Sequence, residues 1–337
     1  MKTSVIDIGL QWETPALTAA LASAIGNGTA AQVIINTTGS SGIRKRVLLS
    51  MRAIETSAEL SNSQIGAAPG DIWSLLLPTN HIAGVNVLAR AIKLGSSVVS
   101  VDETADYTAI VPTQLHRALF GDKKLLEHLQ KCKSVLVGGS PASKTLLELA
   151  TKAGINVVTT YGMTETSGGC IYNNRALAGV SVKVDETGRL MIKGPILASG
   201  YEDNQELWSE NFKDGWFLTS DLGTVKDNEV QIIGRSDDVV LSGGENVSLF
   251  AIENELAANF PDVNFLATSI PDSEWGQKIC LISNFELDHL EVSQVLKEKL
   301  GKQFVPKDFL VVDQIPQIGI GKPDRVKASQ LFINKQR

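Results

Sequence analysis

Cysteine is scarce in this chain, basic charge is not in excess, and no apolar run is long. The three cysteines, Cys132, Cys170 and Cys280, are far apart and form no C-x-x-C pair. That spacing argues against a zinc site and for a reducing compartment, with the thiols packed in the core. A net charge of −6 argues against non-specific nucleic-acid binding, which needs a basic face, but leaves room for a local anion site. No segment approaches the roughly 18 apolar residues of a membrane span. The opening Met-Lys-Thr-Ser-Val-Ile-Asp has no apolar core of a signal peptide. Internal repeats and low-complexity tracts are absent too. A cytoplasmic protein is expected. Its 337 residues, 43% of them hydrophobic, suffice for a full core and two domains.

The first half alternates strand-like and helix-like patterns. Strands are predicted at Val33-Ile34-Ile35, 71–77, 97–101, 134–137 and 155–159, and a helix over 82–94. Ser140-Pro141 reads as an N-cap followed by proline at the first helical position, with Leu146, Leu147, Leu149 and Ala150 as the apolar face. This succession predicts an α/β domain with a largely parallel sheet. From about residue 178, short strands at 180–184, 189–193, 223–226 and 229–233 predict antiparallel structure. After Asp238 a smaller α+β unit is expected. In it Ser248 caps a helix with Leu249, Ile252 and Leu256 on one face, followed by strands at 265–270 and 278–283, a helix near 292–300 and a strand at 309–312. The predicted boundary gives domains 1–236 and 237–337.

Four stretches carry chemistry. Thr37-Thr38-Gly39-Ser40-Ser41-Gly42-Ile43-Arg44-Lys45 offers free backbone, hydroxyls and a cation to phosphate oxygens. It is not a kinase-type P-loop, because Lys does not directly follow the second Gly. Taken alone, a flexible polar turn is the plainer reading. Tyr161-Gly162-Met163-Thr164-Glu165 follows a predicted strand, on the edge where ligands of open α/β sheets collect. Its ring can stack on a base, its threonine can bind phosphate and its carboxylate can hold Mg²⁺. A turn with a buried tyrosine is the plainer alternative. Asp221 could accept ribose hydroxyls with Arg235 anchoring the same sugar, or the two could form a surface ion pair. Finally, Lys322 sits in a glycine-flanked loop, Gln317-Ile318-Gly319-Ile320-Gly321-Lys322-Pro323.

In this order the four stretches resemble the adenylate-forming superfamily of acyl-CoA synthetases, adenylation domains and luciferases. Thr37–Lys45 is similar to the family's T-S-G-S-T-G-x-P-K, Tyr161–Glu165 to Y-G-x-T-E, 219–221 to T-G-D with Ser220 in place of Gly, and 234–238 to G-R-x-D-D. Lys322 matches the C-terminal catalytic lysine. The resemblance spans nearly the whole chain from about residue 33. It implies a large N-terminal α/β domain with a β-rich subdomain, plus a small mobile C-terminal α+β domain. It implies ATP, Mg²⁺ and CoA as cofactors and cosubstrates and a small carboxylic acid as substrate. Tyr161 and Gly139 would line the adenine, and Asp221 and Arg235 would hold the ribose. Thr164 would meet the α-phosphate, and Glu165 the metal. Thr37, Ser40, Ser41 and Lys45 would meet the pyrophosphate end. Asp237 would be the hinge, and Gly243, Gly244 and Trp275 would line a thiol tunnel.

Two departures stand out. Arg44 replaces the family's Pro, and the phosphate loop begins far earlier than in typical members, implying that much of the first subdomain is missing. The stretches 77–84, 111–117 and 161–170 resemble the o-succinylbenzoate–CoA ligases of menaquinone biosynthesis, and the compact length resembles their actinobacterial members. Such an acid carries a second carboxylate and a keto group, for which His81, Gln114 and Arg117 are the candidate partners. His81 as a capping or core residue and Arg117 as a solvated one are the competing readings. Another aromatic or short-chain acyl-CoA ligase, or a nucleotide-binding protein without turnover, remain the alternatives. A homodimer is compatible with the sequence, though no motif specifies one.

Overall fold

The computed structural model describes residues 5–26, 31–38, 44–318 and 322–335. Ser40 and Ser41 of the candidate phosphate loop, and Gly319 to Gly321 next to Lys322, lie outside them. At the centre is a seven-stranded sheet. Val98–Val99, Trp73–Ser74, Tyr107–Ile110, Ser134–Val137 and Val157–Met163 lie parallel in that order, and Gly168–Tyr172 and Arg175–Ala176 continue the sheet antiparallel. Tyr107–Ile110 and Ser134–Val137 are buried along their whole length, as strands covered on both faces must be.

Several expectations are refined. The strand foreseen at 71–77 is only Trp73–Ser74, and that foreseen at 97–101 is Val98–Val99. The helix after Gly139 is capped by Ser143, not Ser140: it runs Lys144–Lys152, and the Ser143 hydroxyl accepts from the Leu146 amide at 3.2 Å. Ser140-Pro141 instead lies in the loop that leaves the sheet edge. The strand foreseen at 155–159 extends over Val157–Met163. Tyr161-Gly162-Met163 is therefore strand, and its second half turns from parallel pairing with 135–137 to antiparallel pairing with 168–172.

The helix Ile82–Lys93 is buried at every position from Gly84 to Ala91. Val85, Leu88 and Ala89 join one hydrophobic cluster and Val87 and Ala91 another, so the helix lies between two cores. The first of these cores also takes the sheet of Val5–Asp7, Gln32–Thr38, Arg44–Ser50 and Gly200–Tyr201. In that sheet Thr37 stands opposite Lys45.

The β-rich part is antiparallel, as foreseen. Ser181–Val184, Arg189–Lys193, the eleven-residue Trp216–Lys226 and Glu229–Arg235 pair in succession. Residues 239–311 build a separate sheet in which Gly276–Ser283 is flanked by Phe265–Asp272 and Asp308–Val311. Strand alternation sorts its core. Ala267, Ile279 and Leu281 face the helices Leu249–Asn259 and His289–Lys299, while Leu266, Cys280 and Ile282 meet Ala328 and Phe332 of the helix Arg325–Lys335. Ser248 caps the first of these helices, with Leu249, Ile252 and Leu256 buried. Among the described residues no helix is long and apolar enough to cross a membrane.

Candidate active site

A cavity of about 140 Å³ opens at the carboxyl ends of the parallel strands. This is the edge at which open α/β sheets present their loops to ligands. Ala109, Ile110, Val111, Leu136, Gly138 and Gly139 line it from two neighbouring strands, and Thr160, Gly162, Met163 and Thr164 from a third. Thr37 lines it from the hairpin of Gln32–Thr38 and Arg44–Ser50, and Leu77, His81, Ile82, Asn86 and Arg90 from the central helix and its approach. Gly139 has φ +84°, a left-handed backbone that turns the chain off the strand end.

Of the residues expected at the site, Thr37, His81, Gly139 and Thr164 meet at this cavity. His81 takes the N-cap position of its helix, although its ring makes no capping bond. Gln114 and Arg117 do not reach the cavity, which corrects the expectation. The Gln114 amide is used twice in structure: its Oε1 accepts from the Val111 amide at 3.0 Å and its Nε2 donates to the Leu76 carbonyl at 2.9 Å. Arg117 is exposed and lies 3.4 Å from Asp122. Helical phase explains this, since Leu115 and Ala118 take the inward face of Pro112–Phe120.

Asn86 and Arg90 also line the cavity, and the sequence reading missed both. They stand four apart on the buried helix, hence on one face. Arg90 is 4% exposed. Its Nη2 donates to the Tyr172 hydroxyl at 3.2 Å, and its guanidinium lies 5.1 Å from the Trp73 ring. Its Nε, like the Asn86 Oδ1, is buried and has no hydrogen-bond partner among the described residues. A lone arginine within the apolar run Ile82–Lys93 was the available signal.

Asp221 and Arg235, which are not among the residues lining the cavity, are cross-strand neighbours. Asp221 is buried and accepts from the Tyr161 hydroxyl at 2.6 Å and from Arg235 Nη1 at 2.9 Å. Burial, and then the Asp221 charge, push the Tyr161 phenol well above its ordinary range, so it stays a donor. Arg235 also grips Asp237 with two bonds, at 2.8 and 2.9 Å. Burial acts to lower its pKa, but Asp237 and Asp221 outweigh that and keep the guanidinium charged. The result is a buried carboxylate bonded to a phenol and a cation, with the candidate hinge Asp237 in the same network.

Glu165 is buried and its Oε1 accepts from the Tyr201 hydroxyl at 2.8 Å. Its Oε2 accepts no hydrogen bond among the described residues. No cluster of three or more His, Cys, Asp or Glu side chains suited to a metal occurs among them. A single carboxylate beside phosphate groups suits Mg²⁺, which keeps water and phosphate ligands. Lys322 begins the two-residue strand Lys322–Pro323, paired with Gln317–Ile318. Gly243 and Trp275 come together: the Gly243 amide donates to the Trp275 carbonyl at 2.9 Å, and a Cβ on Gly243 would sit 3.0 Å from the indole. Gly244 completes that turn at φ +83°. The three cysteines are buried, and burial pushes each thiol up to about 12, so none is a poised nucleophile.

Residues 11–202 match the family of AMP-binding enzymes. The chain is 32% identical over 333 residues to a Mycobacterium tuberculosis protein named probable 2-succinylbenzoate–CoA ligase, covering 89% of this chain and 84% of that one. It is 26% identical to the 2-succinylbenzoate–CoA ligase of Listeria monocytogenes, covering 88% and 69%. The structure resembles o-succinylbenzoate CoA synthetase from Bacillus subtilis in complex with its acyl-adenylate intermediate, with a TM-score of 0.76, 25% identity and coverage of 88% and 68%. It also resembles ATP-bound MatB from Rhodopseudomonas palustris, with a TM-score of 0.80, 25% identity and coverage of 90% and 69%. The chain belongs to the AMP-binding enzyme family and has the adenylate-forming fold.

Proposed function

We propose that this chain is a Mg·ATP-dependent acid–CoA ligase whose acid is 2-succinylbenzoate. The observation that carries the choice of acid is Arg90, a buried cation on the cavity wall whose Nε has no partner among the described residues. A buried charge needs a counter-charge or hydrogen bonds. An acid with a second carboxylate would supply both, and Leu77, Ala109, Val111 and Leu136 offer an apolar wall to its ring. The relatives named for this substrate support the same reading.

In the first half-reaction a carboxylate oxygen attacks the α-phosphorus, and the bond to pyrophosphate breaks. Asp221 and Arg235 hold the ribose hydroxyls and Gly139 flanks the base. Thr164 binds the α-phosphate, and Thr37 and Lys45 the departing end. Glu165 would hold Mg²⁺, which supplies positive charge to the phosphate oxygens. Lys322 stabilises the charge developing between carboxylate and phosphate. Residues 237–337 then turn at Asp237, which withdraws Lys322 and brings Gly243, Gly244 and Trp275 to the path of CoA. The thiol sulfur attacks the acyl carbon, its proton is lost, and AMP departs with the electrons of the acyl–oxygen bond.

The test compares kcat/KM for 2-succinylbenzoate and benzoate in wild type, Arg90→Met and Arg117→Ala. Arg90→Met is expected to lower the ratio about 100-fold, since it leaves a substrate anion unpaired in a closed site. Arg117→Ala should leave it unchanged. An unchanged ratio in Arg90→Met removes the carboxylate assignment. No thioester from 2-succinylbenzoate in wild type removes the substrate.

A further inference from the structure

Tyr201 touches two different parts of the proposed machinery and has no role assigned above. It lies in the short strand Gly200–Tyr201, paired with Leu48 and Val47 on the return strand of the phosphate hairpin. It is 3% exposed. Its hydroxyl donates to Glu165 Oε1 at 2.8 Å. Its ring centroid is 5.1 Å from Lys45 Nζ, within cation–π range. Trp208 meets the ring edge-on at 5.3 Å and 89°, fixing its plane. The chain leading to Tyr201 also grips the turn that carries Glu165: the Ala198 amide donates to the Glu165 carbonyl at 2.8 Å, and the Ser167 hydroxyl donates to the Ile196 carbonyl at 2.7 Å.

We propose that Tyr201 is a positioning residue that joins the metal carboxylate to the phosphate-handling lysine. Its hydroxyl occupies one oxygen of Glu165 and so presents the other to the cation. Its ring seats the Lys45 ammonium until phosphate oxygens offer a stronger partner. One aromatic plane, locked by Trp208, thereby sets the distance between the metal and pyrophosphate ends of the site. This rests on the ligase reading above.

Tyr201→Phe separates the two contacts, because it keeps the ring, the Trp208 edge contact and the lysine seat but removes the donor. Mn²⁺ serves as the probe, with free Mn²⁺ read by electron paramagnetic resonance in the presence of enzyme and ATP. ATP binding without metal is read by calorimetry. Tyr201→Phe should weaken Mn²⁺ binding about ten-fold, the scale of one hydrogen bond to a charged group, with metal-free ATP binding unchanged. Tyr201→Leu should weaken both. In an enzyme already carrying Glu165→Ala, Tyr201→Phe should cost no further Mn²⁺ affinity. Wild-type Mn²⁺ affinity in folded Tyr201→Phe, or additive losses in the double variant, overturns the proposal. If wild type itself shows no ATP-dependent Mn²⁺ binding, the ligase reading falls and this one with it.

Discussion

Arg325 donates from Nε and Nη2 to the two carboxylate oxygens of Asp238, at 2.9 and 3.0 Å. Arg325 lies three residues after Lys322, and Asp238 directly follows Asp237. One ion pair thus ties the segment carrying the candidate lysine to the candidate hinge. Glu253 accepts from the same guanidinium and also from the Ala267 amide at 2.8 Å. Burial raises the Glu253 carboxyl above its ordinary range despite the attraction of Arg325.

Arg325→Met should therefore destabilise the region strongly, because it leaves two mostly buried carboxylates without a cation. Breaking such a pair from one side costs about 3–5 kcal/mol. Urea unfolding followed by fluorescence would measure it. A loss below about 1 kcal/mol would class the cluster with exposed ion pairs.

Lys322→Ala should cripple adenylation while sparing thioester formation from supplied acyl-adenylate. Removing a donor that acts on transition-state charge costs on the order of 100- to 1,000-fold in rate. Pyrophosphate exchange and CoA thioester formation are assayed separately. Equal losses in both half-reactions, or none in either, would contradict the role.

Asp237→Pro should uncouple the half-reactions in the opposite sense, with pyrophosphate exchange retained and CoA ester formation impaired. Proline fixes φ and limits the rotation a hinge requires. The variant also loses the two-bonded grip of Arg235, so ATP affinity is measured alongside. Full ester formation would remove Asp237 as the pivot.

The buried pair of His128 and Ser74 makes stability depend on pH. His128 Nε2 lies 2.7 Å from the Ser74 hydroxyl, and burial lowers the imidazole pKa. The native state thus takes up its proton at lower pH than the unfolded chain. Its contribution is present above the unfolded value of roughly 6.5 and is lost as pH falls through the depressed native one. His116 is shifted the same way by burial, so a variant is needed to isolate one ring. Melting temperatures from about pH 7.5 to about pH 5 should fall less steeply in His128→Gln than in wild type. Identical slopes would mean that His128 does not carry the effect.

The sequence by itself determined what depends on local backbone chemistry and short-range periodicity. The strand at Val33-Ile34-Ile35, the Ser248 cap with Leu249, Ile252 and Leu256 beneath it, and the spacing of the four motifs were all legible. So was the juxtaposition of Asp221 and Arg235, which shared motifs imply without showing that the two are cross-strand partners. Tertiary structure decided which side chains face the cavity. The phase of Pro112–Phe120 turned Arg117 to solvent and spent Gln114 on the backbone of Val111 and Leu76. Burial of Ile82–Lys93 between two cores made Arg90 a buried cation whose Nε has no partner among the described residues. Tyr201 reached Glu165 from a strand whose pairing with Leu48 and Val47 no local pattern encodes. A motif records the backbone a ligand needs, but the wall of a pocket is set by helix phase and by the packing of distant segments.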